Sequence, residues 1–158
     1  MNSYDKGMRK IASIVAINIS KVRGVAKESI PFAECRIDHG IVGDAHADNW
    51  HRQVSFLGQE SVDTMIQKGA GNLSPGDFAE NITTEGILLY ELPIGTQMSI
   101  SEVIFEVTQI GKECHHGCAI FQRVGDCVMP REGIFCKVLK NGIIRTGDKI
   151  VIDMNPHL

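Results

Sequence analysis

The chain has 158 residues, 43% of them hydrophobic and 22% charged, close to the globular averages of about 45–50% and 25%, which excludes a disordered or fibrous protein. A formal charge of -3 and a pI near 6.0 provide no basic face for nucleic acid. No apolar run reaches the roughly 18 residues of a membrane span. Five cysteines, an odd number, do not make a complete disulfide framework and fit a reducing cytoplasm. The length suits one domain, expected over residues 1–158 with a core of about 11–152.

Met1 to Lys10 is polar. Ile11 to Ser20 follows with apolar residues interleaved with Ser, Asn and Ala; without a clear signal-peptide cleavage site, it reads as a strand of the mature protein. Further strands are expected at Glu34 to Asp38 and Gln53 to Leu57. In Gln59 to Gly69, Val62, Met65 and Ile66 recur at helical spacing and Gly69 stands where a C-terminal cap belongs. Asn72 to Asp77 reads as a surface loop. Strands return at Gln97 to Ile100 and Glu102 to Ile110, and a second, shorter helix is expected at His116 to Val124. The dipeptide Asn141-Gly142 suggests a tight turn flanked by Lys137 to Leu139 and Gly142 to Arg145. Lys149 to Met154 is the final strand, and the tail from Asn155 is expected to fray. Many short strands between glycine-rich turns predict an all-β or mostly β barrel.

The densest reactive cluster is Gly111-Lys112-Glu113-Cys114-His115-His116-Gly117-Cys118, directly after a strand. A thiol acts as nucleophile or soft metal ligand only as the thiolate, which nearby cations or a helix N-terminus favour. Cys118 would open the short helix, with Lys112, His115 and His116 adding positive charge. Cys35 and Cys136 sit among apolar neighbours and read as inert small hydrophobes, while Cys127 fits either role. The same loop admits a zinc site built from Cys114, His115, His116 or Cys118, although its spacing lacks the second ligand pair of common structural sites.

Upstream, Gly43-Asp44-Ala45-His46 and His51-Arg52-Gln53-Val54-Ser55 bring acid, imidazole and guanidinium groups to a glycine turn. His46 and Arg52 are candidates for binding a phosphate or other oxyanion, since Arg recognises oxyanions bidentately. Asp44 and Arg52 fit equally well as residues that merely hold the loop. In Pro75-Gly76-Asp77-Phe78-Ala79-Glu80-Asn81-Ile82-Thr83, Asn81 can offer its amide to a ligand or cap loop backbone. Arg131 stands beside Pro130 in a turn, where a charge is ordinarily solvated.

Taken in order and spacing, Gly-Ile-Val-Gly-Asp-Ala-His at 40–46, Arg-Gln-Val-Ser at 52–55, Gly-Asp-Phe-Ala-Glu-Asn-Ile at 76–82, Glu-Val-Thr-Gln-Ile-Gly-Lys at 106–112 with the cysteine loop, and Gly-Asp-Lys-Ile at 147–150 resemble the MOSC family. That family is named for the C-terminal domain of molybdenum cofactor sulfurase. The resemblance is strongest to its short stand-alone bacterial members and covers about Ile11 to Ile152. It implies a mostly β fold, a MOSC-type β-barrel with a few short helices.

The family resemblance also implies a cysteine that accepts sulfur or ligates the molybdenum of a pterin cofactor. This maps onto Cys118, followed by Ala-Ile-Phe, with Cys114 as partner or competitor that would resolve a persulfide as a disulfide. The expected function is that of a sulfur carrier or cofactor-handling protein of molybdenum cofactor metabolism. His46, Arg52, Asn81, Lys112 and Arg131 are the candidate cofactor contacts. Expected partners are the molybdenum cofactor or its biosynthetic proteins and a cysteine desulfurase; pyridoxal phosphate is not expected on this chain. An alternative is a molybdenum-cofactor-dependent reductase of N-hydroxylated compounds, and a further one is a zinc-binding interaction module.

Overall fold

The computed structural model describes residues 9–113 and 127–153. In chain order its strands are β1 (Arg9–Ile19), β2 (Glu28–Ile30), β3 (Phe32–Arg36), β4 (Gly40–Ile41), β5 (Val54–Gly58), β6 (Ile82–Glu85), β7 (Gln97–Ile100), β8 (Val103–Ile110), β9 (Ile134–Lys140), β10 (Gly142–Arg145) and β11 (Lys149–Asp153). Helix α1 spans Gln59–Met65 and α2 spans Met129–Glu132. A π-type turn at Ile66–Ala70 and a 3-10 turn at Leu89–Glu91 complete the regular structure of the described residues.

The strands β1, β11, β7, β8, β9, β5 and β6 pair in that order and β6 returns to β1, which closes a seven-stranded barrel. Closure removes the free edges that an open sheet would have to protect. β2 pairs with the C-terminal end of β1, and β10, β3 and β4 make a separate three-stranded sheet.

β1 shows how sequence becomes barrel wall. Ala12 and Ile14 are two apart and both enter the core, as the strand period requires. A bulge between Ile14 and Ala16 against β6 then adds one residue, so Ile17 rather than Ala16 continues the inward row. Phe56 of β5 and Phe105 of β8 meet edge-to-face across the interior, with ring centroids 5.3 Å apart.

A second apolar cluster joins Leu57, Val62, Met65, Phe78, Val128, Met129 and Phe135. β5 thus contributes Phe56 to one cluster and Leu57 to the other, and every one of its residues is buried. A strand covered on both faces needs no polar alternation, as Val-Ser-Phe-Leu-Gly shows.

The expected helix at Gln59 to Gly69 exists but changes character after Met65, and Gly69 takes a left-handed φ of 98° inside the wide turn. Two expectations need correction. The strands on either side of Asn141 do not form a hairpin, because β9 pairs with β5 and β8 whereas β10 pairs with β3. The chain crosses there from the barrel to the small sheet, and Asn141 Oδ1 accepts the Ile37 N–H at 2.7 Å. The turn expected around Arg131 is the helix α2, with Pro130 in its first turn, where the missing N–H costs nothing. The helix expected at His116 to Val124 lies outside the described residues, as does Met154.

Candidate functional site

A hollow of about 150 Å³ opens where loops from one end of the barrel meet the second apolar cluster. Arg23 comes from the β1–β2 loop, His46, Trp50 and Arg52 from the β4–β5 loop, and Ser55 from β5. Ala79 and Asn81 precede β6, Lys112 follows β8, Met129 starts α2 and Phe135 belongs to β9.

The β4–β5 loop is held by Asp44. Its Oδ1 accepts from the Ser20 N–H (3.2 Å) and from Lys27 Nζ (2.7 Å), and its Oδ2 accepts the His46 N–H at 3.1 Å. The side chains of Lys27 and Asp44 are both fully buried. Burial alone would raise the Asp44 carboxyl, but the hydrogen bond and charge of Lys27, with hydrogen bonds from Ser20 and Asn81, together outweigh it and hold the group below its ordinary value.

His46 is pushed down to about 4 by burial and then by the adjacent Lys27, with Asp44 opposing. Its ring is therefore neutral at physiological pH. Further along the loop, His51 Nε2 meets Gln109 Oε1 at 2.8 Å and the His51 carbonyl accepts from Thr108 Oγ1, which fastens the loop to β8.

Arg52 behaves differently. Its guanidinium lies 4.7 Å from the Trp50 ring centroid and 5.5 Å from that of Phe135. Its Nε is buried without a hydrogen-bond partner, and among the described residues no carboxylate pairs with it. A buried donor left unpaired costs about 1–3 kcal/mol, so such a group calls for a ligand or another explanation. Arg23 also lies over Trp50, at 5.5 Å, and its Nε donates to the Ala45 carbonyl at 3.2 Å.

The wall opposite is built by the stretch from Gly76 to Ile82. Glu80 is fully buried and accepts from the Gly76 N–H, the Phe78 N–H and Thr83 Oγ1. Desolvation raises its carboxyl, against these hydrogen bonds. Gly76 takes φ 91°, and a Cβ there would stand 2.2 Å from the Lys27 carbonyl oxygen, so only glycine permits this loop to lie on Lys27. Asn81 is buried; its Oδ1 accepts from Ser55 N and Oγ, and its Nδ2 donates to the Asn18 carbonyl. Those bonds splice β5 to β1.

The structure thus brings together four of the sequence candidates, His46, Arg52, Asn81 and Lys112. Arg131 is exposed on α2 and is not among the lining residues. Cys114, His115, His116 and Cys118 lie outside the described residues. Sequence reasoning missed Lys27, Arg23, Trp50 and Glu80. Only Trp50, the single tryptophan and the residue immediately before His51-Arg52-Gln53, carried a local signal that could have found it. Cys35 and Cys136 are fully buried, with burial raising both thiols, Cys35 to about 12. Cys127 is buried as well. Among the described residues no three His, Cys, Asp or Glu side chains group as a metal site, and no helix is long and apolar enough to cross a membrane.

A family model of the MOSC domain matches residues 42–151, more than half of the 158. The chain belongs to the MOSC domain family. That family ties it to molybdenum-cofactor-related function. No curated protein matches this MOSC domain. Among solved structures it is similar to the YuaD protein of Bacillus subtilis, with a TM-score of 0.78 at 17% identity over 91% of this chain and 96% of that one. It is also similar to YiiM of Geobacillus stearothermophilus, with a TM-score of 0.68 at 17% identity over 89% of this chain and 74% of that one. YiiM of Escherichia coli gives 0.63 at 13% identity over 89% and 69%. At these identities the likeness establishes the fold.

Proposed function

We propose that this MOSC domain is a sulfur carrier or cofactor-handling protein of molybdenum cofactor metabolism, working through the Cys118 thiolate. The observation that supports the reading is Arg52, a guanidinium flanked by two aromatic rings with a buried, unpartnered Nε, in a hollow that also holds Arg23 and Lys112. Such a set suits an oxyanion. The hollow is smaller than the roughly 300 Å³ of the least small-molecule sites, so it fits the charged end of a pterin phosphate rather than the whole cofactor. Arg52 and Lys112 would hold that end and His46 would donate to it; when bound, the cofactor offers molybdenum as an acceptor for a soft thiolate.

Lys112 and Met129 both line the hollow, and Cys118 lies between them in sequence. Cys118 is six positions after Lys112, a reach of at most about 20 Å. Lys112, His115 and His116, close in sequence, would favour the thiolate. In the carrier reaction the Cys118 sulfur attacks the outer sulfur of a donor persulfide. A new S–S bond forms on Cys118, the donor's S–S bond breaks, and the donor cysteine leaves as its thiolate. Cys114 lies close enough in sequence to resolve the product, releasing hydrosulfide as a disulfide forms.

The test is mass spectrometry of the full chain after incubation with a cysteine desulfurase and cysteine. An added sulfur atom on the Cys118 peptide, lost in Cys118→Ser, is the expected result. Absence of that adduct on Cys118 removes the carrier reading. Stoichiometric molybdenum in protein from a cofactor-competent host, without a persulfide, would instead favour the reductase.

A further inference from the structure

Lys27 and Asp44 form a buried ion pair behind the wall of the hollow, a costly arrangement that the sulfur chemistry above does not use. The Lys27 ammonium has three acceptors around it: Asp44 Oδ1 at 2.7 Å, His46 Nδ1 at 2.9 Å and Ser20 Oγ at 3.1 Å. An ammonium has three hydrogens and no lone pair, so each of these atoms must accept. His46 Nδ1 is then bare and the ring proton resides on Nε2. A free neutral imidazole shows a ligand one donor and one acceptor. Here Lys27 has taken the acceptor.

We infer that Lys27 is a positioning residue that locks His46 as a neutral Nε2–H donor, so that the hollow selects ligands presenting only acceptor oxygens, such as a fully ionised oxyanion. This deepens the anion-binding part of the proposed function and rests on it. With the acceptor face of His46 occupied, ligand N–H groups find no partner on the ring. Arg52 and Lys112 contribute only donors as well. Charge comes from those two residues and directional hydrogen bonding from the uncharged ring.

Among the described residues, the groups facing His46 are Lys27 before β2, Asp44 on its own loop, Arg23 from the β1–β2 loop and Lys112 after β8. Three are cations and one is an anion already engaged by Lys27, so their balance opposes a second proton on the ring. The depressed value of about 4 agrees with that geometry. The backbone reinforces the device. The Lys27 N–H donates to the Gly76 carbonyl at 2.9 Å, and Trp50 Nε1 donates to the His46 carbonyl at 3.0 Å.

The experiment is imidazole nitrogen NMR of the ¹⁵N-labelled full chain from about pH 5.5 to 8, the window in which an ordinary histidine changes charge. The expected spectrum shows His46 with a protonated Nε2 and a bare Nδ1, unchanged across that range, and sulfate moves its Nε2 signal. An Nδ1–H tautomer, or a midpoint near the ordinary 6.5, overturns the proposal. So does a locked ring that does not respond to sulfate. In Lys27→Met combined with Asp44→Asn, which removes both buried charges together and leaves the burial of the ring in place, Nδ1 should no longer be held bare, and the two ring-nitrogen signals should move toward the averaged positions of mixed tautomers. If that double variant does not fold, the wild-type spectrum still decides. None of these readouts involves Cys118, so failure to form a persulfide and failure of the His46 lock are separate results.

Discussion

Replacing Arg52 by Met separates a ligand-binding arginine from a structural one. Two ring contacts, at 4.7 and 5.5 Å, are lost, each worth about 0.5–1 kcal/mol. Against this, the substitution removes a buried Nε that has no partner, relieving a penalty of about 1–3 kcal/mol. Methionine keeps an unbranched stem against Trp50 and Phe135. The opposing terms leave the free protein between about 1 kcal/mol less stable and about 2 kcal/mol more stable than wild type. Binding of an anion should respond strongly, because a charge-assisted hydrogen bond is worth about 1.5–3 kcal/mol, or roughly 10- to 150-fold in affinity. Urea unfolding gives the first quantity and calorimetric titration with sulfate at fixed ionic strength gives the second. A variant that loses more than about 2 kcal/mol of stability yet binds sulfate as wild type does would show that Arg52 serves the fold and refute the assignment.

Three further outcomes are expected. Asn81→Ala strands the buried Ser55 N–H and removes the bond to the Asn18 carbonyl, so urea midpoints should report a loss of about 2–4 kcal/mol; a loss below about 0.5 kcal/mol would contradict the splice between β5 and β1. His46 binds a proton near 6.5 when unfolded but only near 4 when folded. The unfolded chain therefore holds more protons between those values, and the contribution, complete above 6.5, fades as pH falls toward 4. It amounts to at most about 3 kcal/mol. Denaturation series should show that slope in wild type and a flatter one in His46→Gln. Cys35 and Cys136, buried with their thiols pushed up, should resist iodoacetamide in native protein and react only after unfolding. Peptide mapping that finds either labelled first would contradict their burial.

The barrel was legible because its strands announce themselves. Gln97–Ile100 is found as expected, and Glu102 to Ile110 differs by one residue at its start. The short pieces β2, β4 and β6 were not read as strands, since two to four residues carry too little periodicity. The Asn141-Gly142 signal was real as a strand boundary and misleading as a hairpin. Partner choice there depends on where β3 lies, which no local pattern encodes. His46, Arg52, Asn81 and Lys112 were readable because polar residues clustered in glycine-rich loops. Lys27 was invisible, because a lysine flanked by Ala26 and Glu28 gives no hint that its ammonium is enclosed by residues 7, 17 and 19 positions away. Glu80 was overlooked for a related reason. Its role is to hold its own loop from within, and a buried acid cannot be told from a solvated one by spacing.

Trp50 is the chain's single tryptophan, and its indole sits against Arg52 at the mouth of the hollow. All tryptophan emission from this protein therefore originates beside the proposed binding position. Occupancy can be followed optically, without a dye and without engineering a reporter, and a blank response to every oxyanion would itself be informative about what the cavity accepts.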